Sequence, residues 1–424
     1  MLTTHYIREH KASVIQGLQK KKVNNAVAAV EHLLAIDQQR RAAQVALDTT
    51  SAKLKQLTKQ IEQLLKEGRK EAGAAIGLQS KELKTTFKEL ARQLQVHERA
   101  LQSALYDLPN LPHQAVPLGK DANDNEIVYQ DKELPQAGKG QLPHWELAAQ
   151  YGIIDFELGS KVSGAGFPVY KDKGARLQRA LINFFLDEAR QVGYEEIQPP
   201  IIVHQDAAYG TGQLPDKEGQ MYQLLDEAHY LIPTAEVPIT NLYRHQILSK
   251  RELPIKNVAY TPCFRREAGS WGSQVRGLNR LHQFDKVELV EVRLPEESYE
   301  ALEAMRSYIE HLLKKLALPY RILKLCSGDL GFAAAFTYDL EVLSVGQGRW
   351  LEVSSVSNFE TYQANRMKIR YRDDNNKIRL LHTINGSALA LPRIVAALLE
   401  HNQTERGIII PPILRSYTGF DYIS

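Results

Sequence analysis

The chain has little cysteine: two residues in 424, Cys263 and Cys326. Two thiols cannot build a disulfide scaffold or a cysteine-based zinc site, so no zinc is expected. Long apolar runs are missing too. No stretch approaches the ~18 residues that suggest a membrane-spanning helix, and the N-terminus lacks a secretory signal pattern. Neither sign of charge dominates, with 53 Lys and Arg against 50 Asp and Glu. There is no GxxxxGK[ST] phosphate loop; Gly164–Ala165–Gly166 is a lone GxG and a weak signal. These absences predict a soluble, cytoplasmic chain with no membrane contact. Its length favours two domains over one ordinary core.

What is present is unevenly spread. Residues 1–110 hold 18 Lys and Arg against 11 Asp and Glu, so the remainder is slightly acidic. Within them runs a heptad: Ala26, Ala29, Leu33, Ile36, Arg40, Ala43, Leu47, Thr50, Leu54, Leu57, Ile61 and Leu64. Alternating spacings of three and four keep these side chains on one seam, as in a coiled coil. A glycine-rich break follows at Gly68–Gly77, where a helix propagates poorly. The seam resumes at Leu83, Phe87, Leu90, Leu94, His97, Leu101, Ala104 and Leu108, and Pro109 and Pro112 stop it. The pattern predicts an antiparallel two-helix arm roughly 60 Å long. It fits a dimerisation coiled coil, as most such sequences do; the alternative is an arm lying along nucleic acid with Lys and Arg on phosphates.

Residues 111–145 are rich in proline, glycine, Asn and Asp and read as a linker. A second domain, 146–424, follows. Leu177, Leu181, Phe184, Phe185 and Ala189 predict an amphipathic helix, and Glu297–Leu318 another. Gly193–Val203 reads as an apolar strand whose two prolines mark an edge or interface. Thr234, Glu236 and Thr240 lie among prolines where a helix begins, with the threonine as a candidate N-cap. Ser327–Arg366 alternates as strand, turn at Gly346–Gly348, and strand. Strict alternation there sets Leu351, Val353 and Ser355 on one face, Glu352 and Ser354 on the other. A carboxylate beside hydroxyls is a plausible Mg²⁺ ligand set, since hard cations take oxygen. His382–Leu414 reads as a strand, a turn at Asn385–Gly386, then a helix carrying Arg393.

Tyr260–Val290 concentrates the chemistry. Val258, Tyr260, Pro262 and Phe264 alternate into a long polar loop, and Phe284, Lys286, Glu288 and Val290 alternate out of it. Tight hairpins need two to five loop residues, so this loop is functional or disordered. Continued alternation turns Arg265 and Glu267 one way and Arg266 the other. Such a face can grip a phosphate with Arg and a base amine with Glu. A solvated hairpin with surface ion pairs fits the same pattern.

FRREAGS and RGLNRLHQFDKVEL in this stretch resemble motif 2 of class II aminoacyl-tRNA synthetases, in the form carried by the seryl-tRNA synthetases. Gly193–Val203 resembles motif 1, residues 382–412 resemble motif 3, and Thr234–Ala235–Glu236 resembles the serine-contacting triplet. With the arm, the likeness runs over nearly the whole chain. It implies an α+β fold: a six- or seven-stranded antiparallel sheet flanked by helices, preceded by a coiled-coil arm that contacts tRNA(Ser). It also implies homodimer contact through motif 1, ATP as substrate, Mg²⁺, and L-serine as the amino acid. Charging of tRNA(Sec) stays open.

The resemblance implies roles position by position. Arg265 bridges the serine carboxylate and the α-phosphate, Glu267 accepts from adenine, and Phe284 stacks on the base. Arg266, Leu281, Val353 and Ser354 join the ATP site. Glu352 and Ser355 hold Mg²⁺, and Arg280 and Arg393 neutralise the β- and γ-phosphates. Thr234, Ala235 and Glu236 anchor the serine amino end, and Glu288 and Ser387 read its hydroxyl. The chain departs from the usual pattern at Ala388, Pro392 and Trp271–Gly272. Two other readings are a different class II synthetase, threonyl being nearest in chemistry, and a coiled-coil nucleic-acid-binding protein with a degenerate synthetase domain.

Overall fold

The computed structural model describes residues 1–135, 140–225, 227–268 and 275–424. It divides into two units, Leu2–Leu108 and Pro109–Ser424, the second joined by Met1. The first unit is the arm. Its long helices are α1 (Ala26–Lys66) and α2 (Lys70–Tyr106), antiparallel partners along their length. Every predicted seam position on both helices is buried or half-buried, and the intervening Lys and Glu are exposed. The glycine-rich break is much shorter than expected. Only Gly68 takes a left-handed φ, +77°, while α2 starts at Lys70 and runs straight through Gly73 and Gly77. Packing outweighs propensity there: a Cβ on Gly73 would already touch Leu65 at 3.8 Å.

The second unit is built on an eight-stranded sheet. In chain order its strands are β1 (Glu126–Gln130), β2 (Glu195–Glu196), β3 (Ile255–Phe264), β4 (Gln283–Arg293), β5 (Tyr320–Lys324), β6 (Phe336–Ser344), β7 (Arg349–Glu360) and β8 (His382–Ala390). Their spatial order is β1-β5-β6-β7-β8-β4-β3-β2. All neighbours are antiparallel except β2, which pairs parallel with β3. The sheet exceeds the expected six or seven strands partly because the supposed linker supplies β1. The chain is built in from just before that segment: buried Asn110 donates to the carbonyls of Ala333 (3.0 Å) and Phe359 (2.9 Å). Its proline and glycine content marked irregular backbone, not separation. The motif 1 strand is likewise interrupted. β2 ends before Pro199–Pro200, and Ile202–His204 pairs in a separate two-stranded sheet with His229–Leu231.

Helices that contribute to the core under this sheet include α3 (His144–Gln150), α4 (Asp172–Gln191), α5 (Ser298–Lys315) and α6 (Leu391–His401). The predicted apolar stripe of α4, including Leu181, Phe184 and Phe185, is fully buried, as are Ile309 and Leu312 of α5. These join Val287 and Leu289 of β4 in one core, which leaves the alternate residues of β4 for the other face. Asn385–Gly386 is not a turn; it lies inside β8. Gly386 is needed there because a Cβ would come within 2.8 Å of Met305 on α5. Among the described residues, no helix is long and apolar enough to cross a membrane.

Candidate active site

The β3–β4 hairpin carries the site. Cross-strand pairs share a face, so Cys263↔Phe284, Thr261↔Lys286 and Ala259↔Glu288 form one side of it. Phe284, Lys286 and Glu288 line a cavity of about 600 Å³ on that side. Arg265 and Glu267 also line it, just past the end of β3. Arg266 does not; its side chain is exposed outside the cavity and its N–H donates to the Gln220 carbonyl at 2.9 Å. Left-handed backbone at Glu267 (φ +48°) turns the chain away there.

Most other expected residues converge on the same space. Thr234, Glu236, Arg280, Leu281, Glu352, Val353, Ser354, Ser355, Ser387 and Arg393 all line the cavity. Ala235 does not, being fully buried beside Ile239, Ala259 and Val290. Glu352 and Ser355 are three apart on one strand, which strict alternation would set on opposite faces. A β-bulge removes the conflict: Ser354 pairs with Leu340 and Glu352 with Glu341, so Val353 is the extra residue. Pro392 stands in the first turn of α6, where a missing N–H costs little. Arg393 follows it and donates to the Asn279 carbonyl (3.3 Å) and the Glu352 carbonyl (2.6 Å). Trp271–Gly272 lies outside the described residues.

The cavity has two chemically distinct ends. At the inner end Glu288 is buried and accepts from Ser387 Oγ (3.0 Å) and Asn385 Nδ2 (3.0 Å), with Lys286 Nζ at 2.7 Å. Nearby, Gln363 Nε2 donates to Glu236 at 2.5 Å, while Thr383 Oγ1 donates to Gln363 at 2.7 Å. Burial pushes the Glu236 carboxyl up to about 7, against the Gln363 hydrogen bond, and the negative Glu288 adds to the rise. At the outer end the cations are only partly covered. Arg280 pairs with Glu267 at 3.1 Å, and the Arg265 guanidinium lies 5.3 Å from the Phe284 ring centre.

Two family profiles match the chain: the tRNA synthetase class II core domain (G, H, P, S and T) over residues 221–402, and the seryl-tRNA synthetase N-terminal domain over residues 1–112. A serine–tRNA ligase of Salinibacter ruber is 49% identical over 422 residues, spanning 99% of this chain and 98% of that protein. Another, of Akkermansia muciniphila, is 46% identical across 100% of this chain and 99% of its own. The crystal structure of seryl-tRNA synthetase from Pyrococcus horikoshii complexed with ATP is similar at a TM-score of 0.91 and 34% identity. It covers 100% of this chain and 99% of that one.

The chain belongs to the seryl-tRNA synthetase family.

In and around that seryl-tRNA synthetase cavity, several residues went unread in the sequence. Lys286, one of the alternating residues of the outgoing strand, is buried against Glu288. Asn385 was hidden in a supposed turn, and Gln363 carried no local signal. Asp339 lies opposite Ser355 in the β6–β7 ladder. Burial and the Glu352 charge push its carboxyl well above the carboxylate range, against a hydrogen bond with Ser355, and its Oδ1 has no partner. A buried oxygen left over beneath a carboxylate and a hydroxyl suits a cation site. The set fits Mg²⁺, which keeps waters and takes phosphate oxygens alongside one or two protein ligands.

Proposed function

We propose that this chain is a cytoplasmic serine–tRNA ligase. It joins L-serine to ATP, forming seryl-adenylate and releasing diphosphate. It then transfers the seryl group to the 3′-terminal ribose of tRNA(Ser), releasing AMP. One observation carries the reading: a single cavity joins the Glu288–Ser387 pair at one end to Arg265, Arg280 and Arg393 at the other.

The roles follow the chemistry. Glu236, ionised, receives the serine ammonium, with Thr234 beside it. Glu288 and Ser387 read the hydroxyl; alanine would leave them desolvated without a partner, which is how hydrogen-bonding sites reject such analogues. Arg265 holds the serine carboxylate against the α-phosphate, so the carboxylate oxygen attacks phosphorus in line as diphosphate leaves. Phe284 takes the adenine face and Glu267 its amine. Arg280 and Arg393 neutralise the departing charge. Glu352 and Ser355 would hold Mg²⁺, which when bound supplies further neutralisation of phosphate charge.

The same reading assigns tRNA binding to the arm, supported by its basic excess and its length. It assigns homodimerisation to the Gly193–Val203 segment, supported by the short edge strand β2 and by exposed Val192 and Ile202. The deciding experiment is ATP–diphosphate exchange and tRNA charging with serine, threonine and alanine. Serine alone should support both reactions; threonine preference, or no exchange with any amino acid, refutes the assignment.

A further inference from the structure

A second buried carboxylate system lies outside the cavity lining. Glu400, near the end of α6, and His144, at the start of α3, are both fully buried. Glu400 Oε1 accepts from His144 Nδ1 (2.8 Å) and the His144 N–H (3.0 Å). Its Oε2 accepts from the Gly346 N–H (3.0 Å) and from Ser344 Oγ. Burial alone would raise this carboxyl, but the hydrogen bonds from His144 and Ser344 hold it below the ordinary range. The other imidazole nitrogen, Nε2, accepts the N–H of Leu278 at 2.9 Å. An N–H is only a donor, so the ring proton sits on Nδ1 and points at Glu400. Every polar atom of the ring is used.

Leu278 belongs to the segment that returns from the long loop into β4. Its neighbours are tied down at the same place. Arg276 lies over the Trp145 ring at 4.7 Å. Gly277 has φ +69°, and a Cβ there would come within 2.3 Å of His144 Nε2, so the ring and the segment meet closely. Asn279 exchanges amide bonds with Gln347, 2.9 Å one way and 3.3 Å the other, and Gln347 Nε2 also donates to Ser344 Oγ at 2.8 Å. Beyond this anchor, the Asn279 carbonyl accepts from Arg393, and Arg280 is the next side chain.

We propose that the His144–Glu400 pair is a positioning element for the nucleotide: it sets residues Arg276–Leu281, and through them Arg280 and Arg393, in the arrangement that receives ATP phosphates. This rests on the assignment of ATP to the outer end of the cavity. The pair touches no substrate, so it acts on ATP affinity through the segment and leaves the serine end alone. Misplacing charged groups by an ångström is enough to cost orders of magnitude in a site of this kind.

Two amide substitutions, each standing in for one ring nitrogen, separate the halves of the imidazole. In His144→Asn the amide can still donate to Glu400, but nothing reaches Leu278. In His144→Gln the longer side chain restores an acceptor near Nε2. Binding of Mg·ATP and of L-serine is measured separately by calorimetry on the full chain, with thermal melting alongside. His144→Asn should weaken ATP by about tenfold or more and leave serine within about twofold, and His144→Gln should recover most of the loss. The proposal is overturned if His144→Asn binds ATP like wild type. It is also overturned if ATP and serine affinity fall together with the melting temperature, or if Gln is no better than Asn. Should His144→Asn fail to fold, Gln347→Ala decides: it removes the Asn279 amide pair from a half-buried turn, and selective loss of ATP affinity is expected while unchanged affinity overturns. Wild-type protein that does not bind ATP would instead sink the underlying site assignment.

Discussion

Both units bury a carboxylate, and the contrast between the two separates structure from function. In the arm, Asp37 is fully buried and meets three cations: Arg8 at 2.5 Å, Arg40 at 3.2 Å and Arg41 at 3.1 Å. Burial works against its ionisation, but Arg8 and Arg40 prevail and hold its pKa below the usual value. In the catalytic unit, Glu236 and Glu288 are buried with Lys286, and Lys286 is taken by Glu288. Glu236 is left with a neutral amide and a carboxyl raised to about 7. A buried acid with surplus cations is a finished structural joint. One short of a cation suits a cationic ligand, and serine brings an ammonium.

The proposed division of labour can be broken most severely by removing the arm. A chain beginning at Pro109 should form seryl-adenylate within a few-fold of the full protein. Charging of tRNA should fall by about 10³ or more, because phosphate contacts supply most of the affinity. Equal loss of diphosphate exchange and charging would mean that the arm supports the catalytic unit; equal survival would mean it is dispensable.

Glu288→Ala should cost serine ~2–4 kcal/mol of affinity, because Lys286, Ser387 and Asn385 would lose a buried anionic partner. ATP affinity should hardly change. A matching loss of both would show that the two ends of the cavity are not separable.

The carboxylate contrast also predicts opposite pH signs. Asp37 has a lowered folded pKa, so its stability contribution is present above the unfolded pKa and lost as pH falls through the folded one. Glu236 is raised, so its contribution is full below about 4.5 and lost as pH rises to about 7. In the role proposed for Glu236, serine takes the ionised form, so its affinity should climb roughly tenfold per pH unit below about 7 and flatten above it. In Glu236→Gln the climb should vanish with serine binding, while the free protein should gain stability at pH 8, on the order of 1–3 kcal/mol. Calorimetry and melting from pH 5.5 to 8 check both; a wild-type serine profile flat across that range rejects the role given to Glu236.

The two units also differ in how much of them the sequence disclosed. The arm was legible because a heptad has one register: Leu33, Leu54 and Leu94 each fall on the seam they should. Gly73 and Gly77 misled, since propensity reads a local cost and cannot see the packing that offsets it. In the catalytic unit, alternation separated Arg265 and Glu267 from Arg266 correctly. It failed at Glu352 and Ser355, because a bulge depends on the partner strand and leaves no mark in its own residues. The linker failed for a related reason: Glu126–Gln130 is a sheet edge only because Tyr320–Lys324 lies beside it. Lys286, Gln363 and the His144–Glu400 pair were invisible for the same cause. Their partners are distant in sequence, and Glu400 is 256 residues from His144.

The smallest expected effect tests whether the arm's charge acts as a surface or through particular side chains. Lys53 and Arg99 are exposed on α1 and α2. Arg92 is exposed as well, but Glu89 already holds it, through Nε at 3.0 Å and Nη2 at 2.8 Å. An arginine countered by its own carboxylate must break that pair to meet a phosphate, and so displaces fewer of the cations condensed on the RNA. Lys53→Gln and Arg99→Gln should each weaken tRNA(Ser) binding by about fivefold at low salt and flatten the log–log salt slope by roughly one unit. Arg92→Gln should move the slope by clearly less. Filter binding across a salt series measures all three in the intact chain, with diphosphate exchange as the control that should not change. Identical slopes for the three variants would mean that only net charge counts and that the Arg92–Glu89 pair is irrelevant. No change in any of them would take tRNA away from these faces of the arm.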